Sequence, residues 1–256
     1  MELRGTTAVV TGGAHRVGAA IARSLASAGA NVAISYNASA GEAERTVEEL
    51  RSLGVEATAM RCDVSKPDQV ATFVEATNDR MGPIDVLVNS ASAFATDRFP
   101  PSDADRLTWT RTFDVVLHGA YDCAAAIAPG MLERERGSII NIVDLSAWQP
   151  WPNRGAHSVA KAASLALMRQ LAVELAPHVR ANAIALGPTI APTKFDDAQI
   201  ERLRARTLLG RWGGGEEAGR AVRYLIEADA VTGVCLTVDS GEQHGHVRDR
   251  FGSPEV

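Results

Sequence analysis

The chain has 256 residues, 46% of them hydrophobic, which is ample for a buried core and sits at the upper end of what one α/β domain holds. Its net charge of −5 comes from acids and bases interspersed along the chain, so no nucleic-acid partner is expected. No secretory signal opens at Met1–Gly5, and no window reaches about 18 uninterrupted apolar residues. Cys62, Cys123 and Cys235 are odd in number and lack metal-site spacing, so a cytoplasmic protein with no membrane contact and no metal is expected.

The run Thr6–Thr11 is β-branched, and Gly12-Gly13-Ala14-His15-Arg16-Val17-Gly18 follows at once. Ala19–Ala28 then places Ile21, Leu25 and Ala28 at helical spacing. Strand, glycine-rich turn and helix is the context in which backbone N–H groups and a helix N-terminus hold a pyrophosphate. A second strand, Asn31–Tyr36, ends at Tyr36-Asn37-Ala38-Ser39. A site for NAD usually shows Asp or Glu about 20 residues beyond the glycines, on the ribose 2′-hydroxyl. Here Ser35, Asn37 and Ser39 are small and polar, and Arg16 is a cation, which suits a 2′-phosphate and hence NADP(H). Glu56–Cys62 reads as a third strand, with Asp63-Val64 placed to meet the adenine edge.

Pro67–Met81 reads as a helix opened by Pro67 and stopped by Gly82-Pro83. Ile84–Asn89 is the fourth strand, and the small residues of Asn89-Ser90-Ala91-Ser92 allow a ribose or nicotinamide to approach the backbone. Ala93–Ser102 reads as a loop and Ala104–Ala128 as one long helical region, in which His118 reads as a buried, hydrogen-bonded side chain. The apolar run Ile139–Val143 is a buried strand ending at Asp144. Thirteen residues on, His157 and Lys161 stand four apart in a helix that runs on through Ala176, so they share a face. A carboxylate at a strand end and a His/Lys pair at a helix start can converge on one substrate atom. A capped helix with a solvated Lys is the plainer alternative.

Val179–Leu186 is the next strand, followed by Gly187-Pro188-Thr189-Ile190-Ala191-Pro192-Thr193. A small lid, about residues 193–215, carries Arg202, Arg204, Arg206 and Arg211; a solvated face is the plain reading, an anionic substrate group the alternative. Trp148, Trp151 and Trp212 are candidate walls for a planar substrate, with core packing open for Trp212. Glu216–Ala228 is the last long helix and Val234–Val238 the last strand. The tail 242–256 is polar, and its His244-Gly245-His246 reads as solvated rather than metal-binding.

In this order the pieces resemble the short-chain dehydrogenase/reductase family over nearly the whole chain. The likeness rests on Thr11-Gly12…Gly18, Asp63-Val64, Asn89-Ser90-Ala91, Ile139–Val143 and Gly233–Gly241. Within it the chain looks most like the pteridine reductase branch, which also carries Arg where Arg16 stands and Asp where Asp144 stands, and whose Asn-Ala-Ser-Ser-Phe resembles Asn89–Phe94. The resemblance implies a single-domain, Rossmann-type doubly wound parallel sheet over 1–256, of about seven strands with helices on both faces. It implies a nicotinamide cofactor, with Lys161 on its ribose and Gly187, Pro188 and Ile190 near its carboxamide and pyrophosphate. It also implies a homodimer or homotetramer paired through the helix of Ala160, Ala162, Ala163 and Ala166.

The family's catalytic Asn, Ser, Tyr and Lys correspond to Val116, Asp144, His157 and Lys161. A neutral His157 beside Lys161 is a poor proton donor, and an ionised Asp144 opposes a developing alkoxide. The expected activity is therefore NADPH-dependent hydride transfer to a C=N or hemiaminal carbon of a cyclic small molecule. A degenerate NADP(H)-binding sensor or scaffold is the alternative, and a carbonyl reductase using His157 as acid the third reading.

Overall fold

The structure, a computed structural model, describes residues 1–191 and 195–245. Short aliphatic and β-branched runs closed by turn formers become seven strands among these residues: β1 Thr7–Val10, β2 Asn31–Tyr36, β3 Ala57–Arg61, β4 Ile84–Asn89, β5 Gly137–Asp144, β6 Val179–Leu186 and β7 Cys235–Val238. Between them lie α1 Arg16–Ser27, α2 Ala40–Ser52, α3 Pro67–Met81, α4 Asp103–Phe113, α5 Gly119–Glu133, α6 Gly155–Glu174, α7 Asp197–Ala205 and α8 Gly214–Glu227. Every pairing is parallel, in the order β3-β2-β1-β4-β5-β6-β7. The direction of winding reverses between β1 and β4, and the crevice beyond their carboxyl ends is where such sheets take ligands.

Strand side chains alternate between two cores, as burial of both faces of a parallel sheet requires. Val10, Ile34, Val88, Ile140 and Ile184 pack with Ile21 and Leu25 of α1, Leu50 of α2 and Val222 of α8. Val9, Ala33, Leu87, Ile139 and Ala183 pack with Phe73 of α3, Ile127 of α5 and Met168 of α6.

The long helical region is Asp103–Glu133, interrupted by a π-type turn at Asp114–His118. The wide turn inserts a residue, leaving Val116 facing inward and His118 outside. His118 is not the buried side chain expected: it is 60% exposed and bonded to Asp114 one turn back at 3.1 Å. By length and composition this run could cross a membrane, with a mean hydropathy of 1.3 in its most apolar window. Its Ala120, Cys123, Ala124, Ile127 and Met131 are buried within the fold, as in a core helix.

A ladder of buried amides fixes the elements that carry the site. Asn89 at the end of β4 donates to Asn141 Oδ1 on β5 at 3.0 Å, and Asn141 donates to the Ser164 carbonyl of α6 at 3.2 Å. Asn141→Leu keeps the size but leaves the Asn89 amide and the Ser164 carbonyl without this partner. Urea unfolding should show a loss of about 2–3 kcal/mol; an unchanged midpoint would mean that the ladder contributes nothing net.

Candidate active site

At the switch point the glycine-rich turn leaves no room for side chains. Gly12 has φ +64°, and a Cβ there would lie 2.9 Å from the Ala91 Cα; a Cβ on Gly18 would lie 2.3 Å from the Gly12 carbonyl oxygen. Thr11 Oγ1 accepts from the Ser90 and Ala91 N–H groups at 3.0 and 3.1 Å, holding β1 and β4 together at the crevice. The N-terminus of α1 has no side-chain cap and no acid in its first turn. N–H groups without a side-chain cap at a positive helix end, beside closely packed glycines, fit a pyrophosphate. His15 and Val17 flank the N-terminus of α1, Lys161 stands behind Asn89–Ala91, and Tyr36–Ser39 and Asp63-Val64 border its far corner.

Arg16 is placed differently from the expectation. It has φ +52°, and its guanidinium reaches to the carbonyls of Ile190 at 2.7 Å and Ala191 at 3.4 Å, across to the segment after β6. Two backbone carbonyls 174 and 175 residues away thus take the charge that residue type alone assigned to a 2′-phosphate.

Asp144, His157 and Lys161 do converge. Asp144 closes β5; its Oδ1 accepts from the Ser146 N–H at 3.0 Å and from the Ser146 hydroxyl. Its Oδ2 lies 2.7 Å from His157 Nε2. The other ring nitrogen, Nδ1, donates to the Ala93 carbonyl at 3.2 Å. A carbonyl and an ionised carboxylate are both acceptors, so both bonds form in full only when each ring nitrogen carries a proton. The expectation from sequence weighed Lys161 alone against His157 and left Asp144 out. The carboxylate, not the lysine, touches the ring. Lys161 is buried and donates to the Ile142 carbonyl at 2.7 Å.

Burial pushes the Asp144 carboxyl up, but the hydrogen bond from His157, the Lys161 ammonium and Ser146 outweigh it and hold the carboxyl below its ordinary value. Burial pulls the Lys161 ammonium down, partly offset by Asp144. Val116 faces a small enclosed cavity of about 10 Å³ shared with Asn89, Lys161 and Ser164.

The loop from Ala93 was legible in the sequence, but not its part in completing this corner. Ala93 supplies the carbonyl on His157, and Phe94 meets the imidazole edge-on at 4.9 Å. The Arg154 guanidinium lies 4.2 Å over the Phe94 ring and donates to Thr96 at 2.7 Å. Asp97, buried, accepts from the Ala156 N–H in the first turn of α6 at 3.0 Å. No residue-type pattern announces these contacts, because they join segments about 60 residues apart. Trp151 lies near-parallel to the imidazole at 6.1 Å and Trp148 is 39% exposed, while Trp212 donates to the Ile200 carbonyl of α7 at 3.4 Å.

In the lid, Arg204, Arg206 and Arg211 meet Glu201, Glu242 and Glu217, in keeping with a solvated face. Pro192, Thr193 and His246 lie outside the described residues. Gly187 N–H donates to the Val238 carbonyl at 3.1 Å, and Pro188 accepts from Gly213 N–H at 3.0 Å, joining the lid to the end of β6. Among the described residues no three His, Cys, Asp or Glu side chains cluster as a metal site.

A family model described as Enoyl-(Acyl carrier protein) reductase matches residues 12–243. The L-rhamnose 1-dehydrogenase (NAD(P)(+)) of Sphingomonas sp. is 34% identical, over 93% of this chain and 96% of its own. The FolM alternative dihydrofolate reductase 1 from Brucella canis, complexed with NADP, superposes with a TM-score of 0.85 at 35% identity, over 94% of this chain and 96% of that one. A blue fluorescent protein from a metagenomic library, in complex with NADPH, does so with a TM-score of 0.85 at 31% identity, over 94% and 99%.

Because the folded Asp144 carboxyl lies below its ordinary value of 3.8, its ionisation stabilises the fold above that pH, and the contribution is lost as pH falls through the folded value. Urea midpoints of the wild type and Asp144→Asn should therefore differ most at neutral pH and converge in acid. A gap independent of pH would show that the carboxylate is not held this way.

Proposed function

This chain belongs to the short-chain dehydrogenase/reductase family, and from that premise we propose that it is an NADPH-dependent reductase of C=N or hemiaminal carbon in cyclic nitrogen-containing small molecules. The family's members are NAD(P)-dependent oxidoreductases, and the chain is one of them. The observation that carries the finer reading is the Asp144–His157 pair at the end of β5, where the family resemblance puts Ser and Tyr. Likeness to the Brucella canis FolM dihydrofolate reductase, complexed with NADP, supports both the cofactor and the kind of bond reduced.

The bound nicotinamide supplies the hydride. The chain's own task is then to hold a proton and a compensating charge at the acceptor nitrogen. With both ring nitrogens protonated, the pair stores one proton more than a neutral imidazole and an ionised carboxylate. Passing it from His157 through Asp144 to a neutral imine nitrogen leaves an iminium carbon facing an ionised Asp144. Hydride addition at that carbon then gives a neutral amine, so one proton and one hydride account for the product. From a hemiaminal the same proton leaves with the hydroxyl as water. Opposite charge in a cleft poor in water favours the cation more strongly than solvent would.

Homo-oligomeric assembly is part of the same proposal. It is supported by exposed apolar side chains on α4–α6, among them Leu107, Tyr121, Val159 and Val173. The same proposal includes work in the cytoplasm on small molecules rather than nucleic acid or membrane. A second reading, binding of NADP(H) without turnover, is favoured by one observation: Asp144, His157 and Lys161 each already have partners inside the protein.

The test contrasts a neutral cyclic imine with an N-alkylated cyclic iminium ion, following loss of NADPH absorbance. The alkylated ion needs no proton, so His157→Phe should keep its reduction within about tenfold while losing more on the neutral imine. Asp144→Asn should cost both on the order of a hundredfold or more. Ketones as the best substrates, with near-total loss in His157→Phe, would establish the carbonyl reductase instead; cofactor binding without consumption would establish the scaffold.

A further inference from the structure

We propose that Arg61 is the side chain that grips the cofactor's 2′-phosphate and sets the preference for NADP(H); this rests on the NADP(H) reading above. In doubly wound sheets the end of the second strand addresses the 2′ position of the adenosine ribose, and a nearby Arg accommodates a phosphate there. Here that end is Tyr36-Asn37-Ala38-Ser39, which holds neither an acid nor a cation. The charge has to come from a neighbouring element.

β3 supplies it. Arg61 pairs in register with Tyr36 at the carboxyl end of the sheet, and the next residue, Cys62, donates its N–H to the Tyr36 carbonyl at 2.8 Å. The Arg61 side chain is exposed and lies along the loop after β2, where its Nε donates to the Asn37 carbonyl at 3.1 Å. That bond spends one nitrogen and fixes the plane of the guanidinium. Among the described residues its two terminal nitrogens make no hydrogen bond or ion pair, which leaves the forked edge that suits a phosphate bidentately. Arg16, the other candidate, spends both terminal nitrogens on the Ile190 and Ala191 carbonyls. The acid of this corner, Asp63, is tied to Ser65 through Oδ1 and to the Asn37 amide through Oδ2, and Arg45 on α2 pairs with Glu42 at 3.7 Å.

Binding without turnover tests this, by titrating NADPH, NADH, 2′,5′-ADP and 5′-AMP into the wild type, Arg61→Ala and Arg16→Ala. Arg61→Ala should weaken NADPH and 2′,5′-ADP by about tenfold or more, as expected for loss of a charge-assisted contact, and leave NADH and 5′-AMP within about twofold. Retained NADH binding also shows that the variant is folded. Arg16→Ala should leave the ratio of NADPH to NADH affinity in place. Equal losses for both nucleotides in Arg61→Ala, no loss at all, or collapse of the ratio in Arg16→Ala would each overturn the assignment. A wild type that binds NADH as tightly as NADPH would instead refute the NADP(H) reading and take this proposal with it.

Discussion

The hydrogen bond between Asp144 and His157 is the contact around which this end of the sheet is built. At 2.7 Å it joins the end of β5 to the first turn of α6, and it is 3% and 17% exposed on its two sides. A carboxylate and an imidazole brought out of water would each be costly alone. Together, with Ser146 on one side and the Ala93 carbonyl on the other, each polar atom meets a partner and the desolvation cost is offset. Lys161, one turn further along α6, adds a positive charge that favours the ionised carboxylate.

That contact is only as exact as the elements behind it. β4, β5 and α6 are locked by the Asn89–Asn141–Ser164 ladder, deep under the site. At the rim, the loop of Ala93–Asp97 is fastened to residues 153–157: Asp97 N–H donates to the Asn153 carbonyl at 3.2 Å, and the Asp97 carboxylate holds the Ala156 N–H. An anion at a helix N-terminus is favoured by the aligned peptide dipoles. The first turn of α6 is thus held from below by amides and from the side by a carboxylate, which fixes where His157 can point. Gly155 permits this approach, since a Cβ there would lie 3.0 Å from Asp97 Oδ2.

Most of the fold was legible because its signals are local. β2, β4 and β6 have the bounds that their apolar runs and turn formers mark, and α3 begins at Pro67 and ends at Met81 before a glycine at φ +79°. The candidate site was legible in its residue types and in the placing of Asp144, His157 and Lys161 on a strand end and one helix face. What the sequence could not convey is which groups those side chains touch. The ring of His157 is governed by Ala93, 64 residues upstream, and the guanidinium of Arg16 by carbonyls beyond β6. The π-type turn also escaped, because one inserted residue leaves no mark in composition, yet it decides that Val116 faces Lys161's cavity and His118 faces outward.

These contacts tie the residue at 157 to the residue at 144. A phenol has a single O–H and can donate one hydrogen bond, so a tyrosine here could satisfy the Ala93 carbonyl or Asp144 but not both. An imidazole has two nitrogens set apart across a rigid ring, and it spans the gap between the two acceptors. Conversely, a serine at 144 would offer the ring no charge. The hydrogen bond from the imidazole helps to hold the buried Asp144 carboxyl below its ordinary value. Exchanging either one alone would leave a buried polar group facing a partner of the wrong kind, which costs more than the lost hydrogen bond. The two side chains therefore act as a single unit in physical terms, held at two positions.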